Sequence, residues 1–263
     1  APARDAFEFP MNYLRGGSSI AAMGWNFTTA AIQITGLTQS MVRVGPKWVA
    51  LGVSRMLGDA RRMESTAAWV NEKSKFMALR ATTMMREIRE VQASITPSGI
   101  LIGGARDSFF LMIYRMQQLA DLPTWIGAYE KAMAGIDQGV SSAEAFKDAE
   151  ARAVALADQA VIDSQGSGHI KDLAAIQRGG PMRKVWTQFY SYFSVTYNLL
   201  HESAIKTDFK KVDQVGAFAV DFFLLTIAPA TLGLLIREAL RGGLDDDDLW
   251  EKLIAENASF ITG

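Results

Sequence analysis

Between Val215 and Ile236 the chain reads VGAFAVDFFLLTIAPATLGLLI, a run of 22 residues interrupted by one charge, Asp221. Lys210 and Lys211 precede the run, and Arg237 and Arg241 follow it. A mainly apolar stretch of about 18 residues or more is long enough to cross a bilayer, whereas a soluble helix of that length normally keeps a polar face for water. No such face is evident here. The energetics of insertion are close. The twelve Val, Leu, Ile and Phe side chains contribute roughly −0.5 kcal/mol each, while Asp221 returns about +3 kcal/mol and Pro229, Thr226, Thr231 and the glycines return more. The alternative is the central helix of a helical protein, buried on every side and kinked or divided at Pro229, because proline removes a helix hydrogen bond. Both states are compatible with one chain that changes conformation.

The chain has 263 residues, 49% of them hydrophobic, enough to bury a substantial core as one large domain or two smaller ones. Its 27 basic and 28 acidic residues nearly cancel, so no global attraction to nucleic acid or to an anionic surface is expected, and any such contact must be local. Cysteine is absent, which excludes disulfides and thiolate metal sites. The opening APARDAFEFP lacks the pattern of a secretory signal. A start at Ala1 fits either removal of an initiator methionine or excision from a longer polypeptide, and the ending ENASFITG leads us to expect a fragment.

Strand signals are scarce and helical spacing dominates, so the expected fold is all-α: a multi-helix bundle with long amphipathic helices and one or two very apolar ones. We expect a single helical module over 1–263, with 1–139 and 140–263 as its candidate division. From Arg61 to Ile95, the residues Met63, Ala67, Val70, Met77, Ala81, Met84, Ile88, Val91 and Ile95 follow a three-and-four rhythm interrupted at Ser74. Arg61, Arg62, Lys73, Lys75, Arg86 and Arg89 mix with Glu64, Glu72, Glu87 and Glu90 on the other positions, as on a solvated face. This reads as a long helix packed in a bundle, or else as an intermolecular coiled coil.

Pro97, Gly99, Gly103 and Gly104 break that pattern, and a second helix is expected over Asp107 to Ala120. Pro123 suits the first turn of another, because its missing N–H is not needed there. Ser141 or Ser142 is placed to cap the next helix, with Glu144 in a capping position; eight alanines between Ala143 and Ala160 favour it, and it should end near Gln165. Pro181 opens a further helix to about Ile205. Along it Trp186, Tyr190, Phe193 and Tyr197 share one face, widened by Phe189 and Tyr192. Such a stripe is either core or a membrane-interface belt, and Arg178, Arg183 and Lys184 just before it would suit lipid phosphates. Gly16 to Val42 is 27 residues without a charge, rich in small residues that permit close helix contact with or without lipid.

Motifs that carry chemistry are missing. His169 and His201, the only histidines, form no HExxH spacing, and the chain contains no GxxxxGK[ST], GxGxxG or GxSxG sequence. The segment SQGSGHIKDL, Ser164 to Leu173, is read as a helix-terminating turn rather than an anion cradle. Glu202 and Ser203 match the Glu-Ser pair of lytic transglycosylases, but the GLMQ-like sequence that should follow is absent. Asp245 to Asp248 lack the spaced ligands of an EF-hand and read as acids at the start of the helix LWEKLIAENA. We therefore expect no enzyme activity, no metal and no cofactor.

In their order, WNFTTAAIQITGL (Trp25 to Leu37), VGPKWVALG (Val44 to Gly52), DLPTWIGAYEKAM (Asp121 to Met133), ADQAVIDSQGSGHIKDLAAIQRGG (Ala157 to Gly180) and WTQFYSYFSVTYNLL (Trp186 to Leu200) resemble a helical region of large polyvalent, virion-internal proteins of tailed phages. The resemblance covers nearly the whole chain. It implies a module of a long polypeptide that is carried in the capsid and ejected with the genome, with any enzymatic activity in other modules. It also implies partners among other virion-internal or portal proteins, homo-oligomer formation, contact with the host membrane, and a path from the virion interior to the host envelope. The residues expected to make membrane or protein contacts are Trp186, Tyr190, Phe193, Tyr197, Phe218, Phe222, Phe223, Leu224, Leu225, Leu234 and Leu235. In the folded state Gly16 to Val42, the Trp186 face and Val215 to Ile236 are expected to pack on one another. The competing expectation is a soluble scaffold that docks other virion proteins or organises neighbouring modules.

Overall fold

A computed structural model describes residues 33–56, 60–80, 103–136, 142–165, 190–244 and 248–262. Among these residues there are nine α-helices and no strand, as expected. A 3-10 turn (Gln33–Gly36) leads into α1 (Leu37–Val44), α2 (Pro46–Met56) and α3 (Ala60–Lys73). Then come α4 (Gly103–Ala134), α5 (Ala143–Gln165), α6 (Tyr190–Lys206), α7 (Val212–Phe222), α8 (Ala228–Arg241) and α9 (Leu249–Thr262). A π turn, Phe223–Ile227, joins α7 to α8, so the two form a 30-residue rod from Val212 to Arg241.

The main core lies among α1 to α5. Val44, Val49, Val70, Met77, Trp125, Ile126 and Val161 meet there, with Ala153, Ala157 and Ala160 bringing α5 close to α4. Partners on α4 and α5 pair in opposite order, Trp125 with Asp158 and Tyr129 with Glu150, so these helices run antiparallel. Trp125 and Tyr129 stack at 5.2 Å, and Trp69 of α3 sets its edge against both at 5.7 and 5.6 Å. Such aromatic contacts add about 1 kcal/mol each to what burial alone supplies.

Asp158, Ser40, Thr124, Gln165 and Asp121 are hydrogen-bonded in this core, as burial requires. Asp158 accepts from Ser74 Oγ at 2.6 Å and from Trp125 Nε1 at 2.7 Å. Ser40 and Thr124 share a 2.6 Å hydroxyl contact, and Gln165 Nε2 donates to Ser40 Oγ at 2.9 Å and to the Gly36 carbonyl at 2.7 Å. Asp121 is held by Arg80 Nε at 2.7 Å and by Gln117 at 3.0 Å. The hydroxyls therefore tie α1, α4 and α5 at one level, while the carboxylate of Asp158 ties α3 to α4 and α5.

The structure corrects two expectations here. Pro123 does not open a new helix after Ala120; it lies inside the single 32-residue helix α4 and is fully buried. An interior proline costs about 3 kcal/mol, and close packing offsets this. α2 passes over Pro123 at Gly52, where a Cβ would overlap the Pro123 backbone, and four residues on, a Cβ on Gly127 would strike the backbone of Trp48. Lys73 is not on a solvated face. It pairs with Glu150 and sits over the Trp69 ring at 5.5 Å. The heptad stripe otherwise holds where it is described: Met63, Ala67, Val70 and Met77 face the core, and the interruption at Ser74 is a buried hydroxyl bonded to Asp158. Its continuation, Ala81 to Ile95, lies outside the described residues, as does Gly16 to Ile32 of the uncharged N-terminal run.

Ser142 caps α5, accepting from the Ala145 N–H at 3.2 Å, and α5 extends to Gln165; Ser141 and the expected turn from Gly166 to Leu173 lie outside the described residues. α5 packs on α4 across the candidate division at 139/140.

Candidate interaction surface

Helices α6 to α9 form a second, thinner assembly that rests on α1, α5 and the 3-10 turn. Polar links join its members to one another and to α1. Ser203 Oγ of α6 donates to Asp221 of α7 at 2.6 Å, so the one charge within the apolar run is spent on a hydrogen bond rather than left bare. Gln39 of α1 donates to Thr196 of α6 at 2.8 Å. On the other side, α9 lies antiparallel to α8. Asn257 donates to Thr231 at 3.0 Å, Lys252 meets buried Glu238 at 3.2 Å, and Arg237 pairs with Glu256.

The apolar rod is covered along one face, not on every side. Leu225, Thr226, Pro229, Ala230, Gly233, Leu234 and Glu238 are buried, at the three-and-four spacing of a helix stripe. α7 buries no residue fully, and only 39% of the most apolar window of the rod is enclosed. Val212, Val220, Phe223, Leu232 and Leu240 face outward. The backbone irregularity also differs from the expected break at Pro229. It lies ahead of it, in the π turn, where the Ala228 N–H reaches back to the Phe223 carbonyl. Pro229 then occupies the first turn of α8, where its missing N–H costs least.

The expected contact residues divide accordingly. Leu225 and Leu234 are core; Phe218, Phe222, Leu224 and Leu235 are partly covered; Phe223 is about half exposed, at 49%. Trp186 lies outside the described residues, and Tyr190 opens α6. Phe193 and Tyr197 correct the expectation that the aromatic face packs on the apolar rod, since they are 59% and 65% exposed. α6 turns a different stripe inward: Thr196, Leu199 and Ser203, whose hydroxyls bond to Gln39 and Asp221. Those two hydrogen bonds fix the rotation of the helix, and the rings are left outside, where Tyr197 stacks on His201.

Exposed apolar residues that spacing alone did not single out include Ile205, Phe209 and Val212 at the α6–α7 turn, Trp250 and Ile254, one turn apart on α9, and, away from this assembly, Leu79, Phe146 and Leu156. The signal for Trp250 and Ile254 was available in the i, i+4 spacing, but α9 reads equally well as an amphipathic helix with that face inward.

A groove between α1, α6 and α7 is lined by Arg43, Leu199, Glu202, Ser203, Phe218 and Asp221. Its carboxylates are engaged. The hydrogen bond from Lys206 holds the Glu202 carboxyl below the ordinary glutamate range, against a smaller upward push from burial, and Arg43 adds to the lowering. A general acid on a glycosidic bond needs the opposite shift. Among the described residues, no three His, Cys, Asp or Glu side chains gather to hold a metal ion, and Asp248 makes a 3.0 Å ion pair with Lys252 at the start of α9.

Compared with known proteins, the chain matches no family model, no curated protein and no solved structure.

Proposed function

We propose that this chain is a non-enzymatic helical module of a phage virion-internal protein, ejected with the genome, whose α6–α9 assembly exposes apolar helix surface to help genome or protein cross the host envelope. The sequence resemblance described above supplies the phage context, and with it the expected portal or internal partners and self-association. The observation that carries the membrane part is the 30-residue apolar rod with 39% of its most apolar window enclosed. Val212, Val220, Phe223, Leu232 and Leu240 are exposed along it, and exposed apolar side chains of this kind suit cover by lipid or by another protein. The mechanism is exchange: lipid or sister subunits take the place of the contacts that Leu225, Ala230 and Leu234 now make with the rest of the chain.

A second reading, a soluble scaffold that docks other virion proteins, is favoured by the burial of Leu225, Pro229, Ala230 and Leu234. In it that face is permanent core. Flotation of the full chain with lipid vesicles separates the two. The membrane reading expects the protein to rise with vesicles, and Val220→Glu with Phe223→Glu, both at outward-facing positions, to abolish this. Absence of association at every pH and salt concentration, for native and partly unfolded protein alike, removes the membrane part and leaves the scaffold.

A further inference from the structure

Resting on that membrane reading, we propose that the α6–α7 turn is the first point of contact and that its partner is the headgroup region of a bilayer containing anionic lipid. Ile205, Phe209 and Val212 at this turn are 71%, 59% and 87% exposed, so they bury little against their own protein. Exposed Lys206, Lys210 and Lys211 lie between them. Apolar side chains that can enter the acyl boundary, interleaved with lysines that reach phosphates, are the chemistry an anionic interface selects.

The turn is a built structure. The Thr207 N–H donates to the Ala204 carbonyl at 3.3 Å and its hydroxyl to Ser203 O at 2.8 Å. The Asp208 N–H donates to Gln214 Oε1 at 2.7 Å, and the Lys211 N–H to Asp208 O at 2.9 Å. Phe209 meets Phe218 edge-on at 5.4 Å, which fixes the ring at the apex. Within 205–212 three lysines stand against one aspartate, Asp208, whose Oδ1 accepts from the Lys210 N–H and whose Oδ2 lies 3.7 Å from Lys211 Nζ. The nearest other acids are Glu202, paired with Lys206, and Asp213, in the first turn of α7 where the helix dipole favours it.

The opposite end of the rod has the reverse character. Leu240, Leu244 and Trp250 are exposed there too, but Asp245 to Asp248 lie between them in sequence, and Arg237 and Arg241 are engaged by Glu256 and Glu238. Both ends are apolar and only one is basic. Charge therefore decides which end meets an anionic surface.

The test uses the full chain and two kinds of vesicle, phosphatidylcholine alone and equal parts phosphatidylcholine and phosphatidylglycerol, at low and physiological salt. The wild type is expected to prefer the anionic vesicles, less so as salt rises. Changing Lys206, Lys210 and Lys211 together to Gln should weaken anionic-vesicle binding by about fivefold per lysine, roughly a hundredfold in all, with little change on phosphatidylcholine. The triple Lys→Arg variant should keep the preference. Phe209→Ser with Val212→Ser should weaken binding to both vesicle types; if that pair lowers the melting temperature, Val212→Ser alone, at the most exposed position, decides. Equal wild-type affinity for the two vesicles overturns the proposal. So does wild-type-like binding by the triple Gln variant when Val220→Glu with Phe223→Glu has lost binding, and that result leaves the membrane reading standing. A wild type that binds neither vesicle, native or partly unfolded, removes both.

Discussion

The crossing of α2 over α4 and the α7–α8 rod are both long apolar surfaces containing glycine and a proline within a helix, and the chain treats them in opposite ways. At the crossing, Gly52 and Gly127 are pressed against the backbones of Pro123 and Trp48, Pro123 is fully buried, and Asp121 and Glu130 of α4 are paired with Arg80 and Arg55. In the rod, exposed Gly216 has nothing near the place where a Cβ would stand, and the proline follows a widened turn. Small residues do different work in the two places. In the first they permit contact, and in the second they leave surface uncommitted.

The largest test of that contrast is a pair of glycine replacements. Gly127→Val drives a branched side chain into the backbone of Trp48, which cannot move aside without parting α2 from α4. We expect a loss of about 3 kcal/mol or more, or failure to fold, in chemical denaturation. Gly216→Ala in α7 should be neutral or stabilise by up to about 1 kcal/mol, because it replaces the poorer helix former in open space. A neutral Gly127→Val would erase the distinction between the regions.

A smaller effect comes from the two aspartates that each region keeps in an apolar setting. Asp158→Ala leaves Trp125 Nε1 without its acceptor and the Ser74 hydroxyl with only the Met77 N–H it accepts from, and should cost about 2–4 kcal/mol of stability with no gain elsewhere. Asp221→Asn loses the charge facing Ser203, at about 1 kcal/mol of stability in water, yet removes the charge that opposes insertion and should strengthen vesicle association. If Asp221→Asn left vesicle association unchanged, the rod would not be the part that enters lipid.

The smallest is a pH effect within the core. Hydrogen bonds from Lys73 and Tyr129 hold the Glu150 carboxyl below the ordinary glutamate range despite burial. Its folded pKa is thus the lower one, so its contribution is complete above the unfolded glutamate value and is lost as pH falls through the folded value. Acid should loosen α3 from α5, read by Trp69 fluorescence, and Glu150→Gln should remove that part of the pH dependence. On the alkaline side, burial and then Glu150 push Tyr129 up to about 12 from 10.0. Here the proton is bound more tightly in the fold, and the associated stability is lost as pH rises from about the free tyrosine value toward 12. The same residues that make the core firm at neutral pH therefore give it two edges.

Much of the helical content was legible from periodicity and caps: the core stripe Met63–Ala67–Val70–Met77, and a serine cap that the sequence left open between Ser141 and Ser142 before the alanine-rich α5. Pro123 misled because local propensity sees a missing N–H but not Gly52 approaching from a helix some seventy residues earlier. The aromatic face of α6 misled for a related reason. Phe193 and Tyr197 outweigh Thr196 and Ser203 in any measure of hydrophobicity, but the hydroxyls found partners in Gln39 and Asp221 and set the helix's rotation. The apolar rod was legible as an element. Its one-sided cover was not, because every face of it is apolar and only the neighbours decide which is inside.

The π turn at Phe223–Ile227 amounts to one surplus residue wound into the rod. Each α-helical residue turns the chain by about 100°, so the side of α8 that meets its neighbours is phased against α7 by that single insertion. Winding the same residues uniformly as α-helix would swing α8 round by about 100°. Leu232 would come toward the space now held by Ala230 and Leu234, and Glu238 would lose Lys252. The molecule's division into a sheltered and an unsheltered side thus depends on one count in the chain.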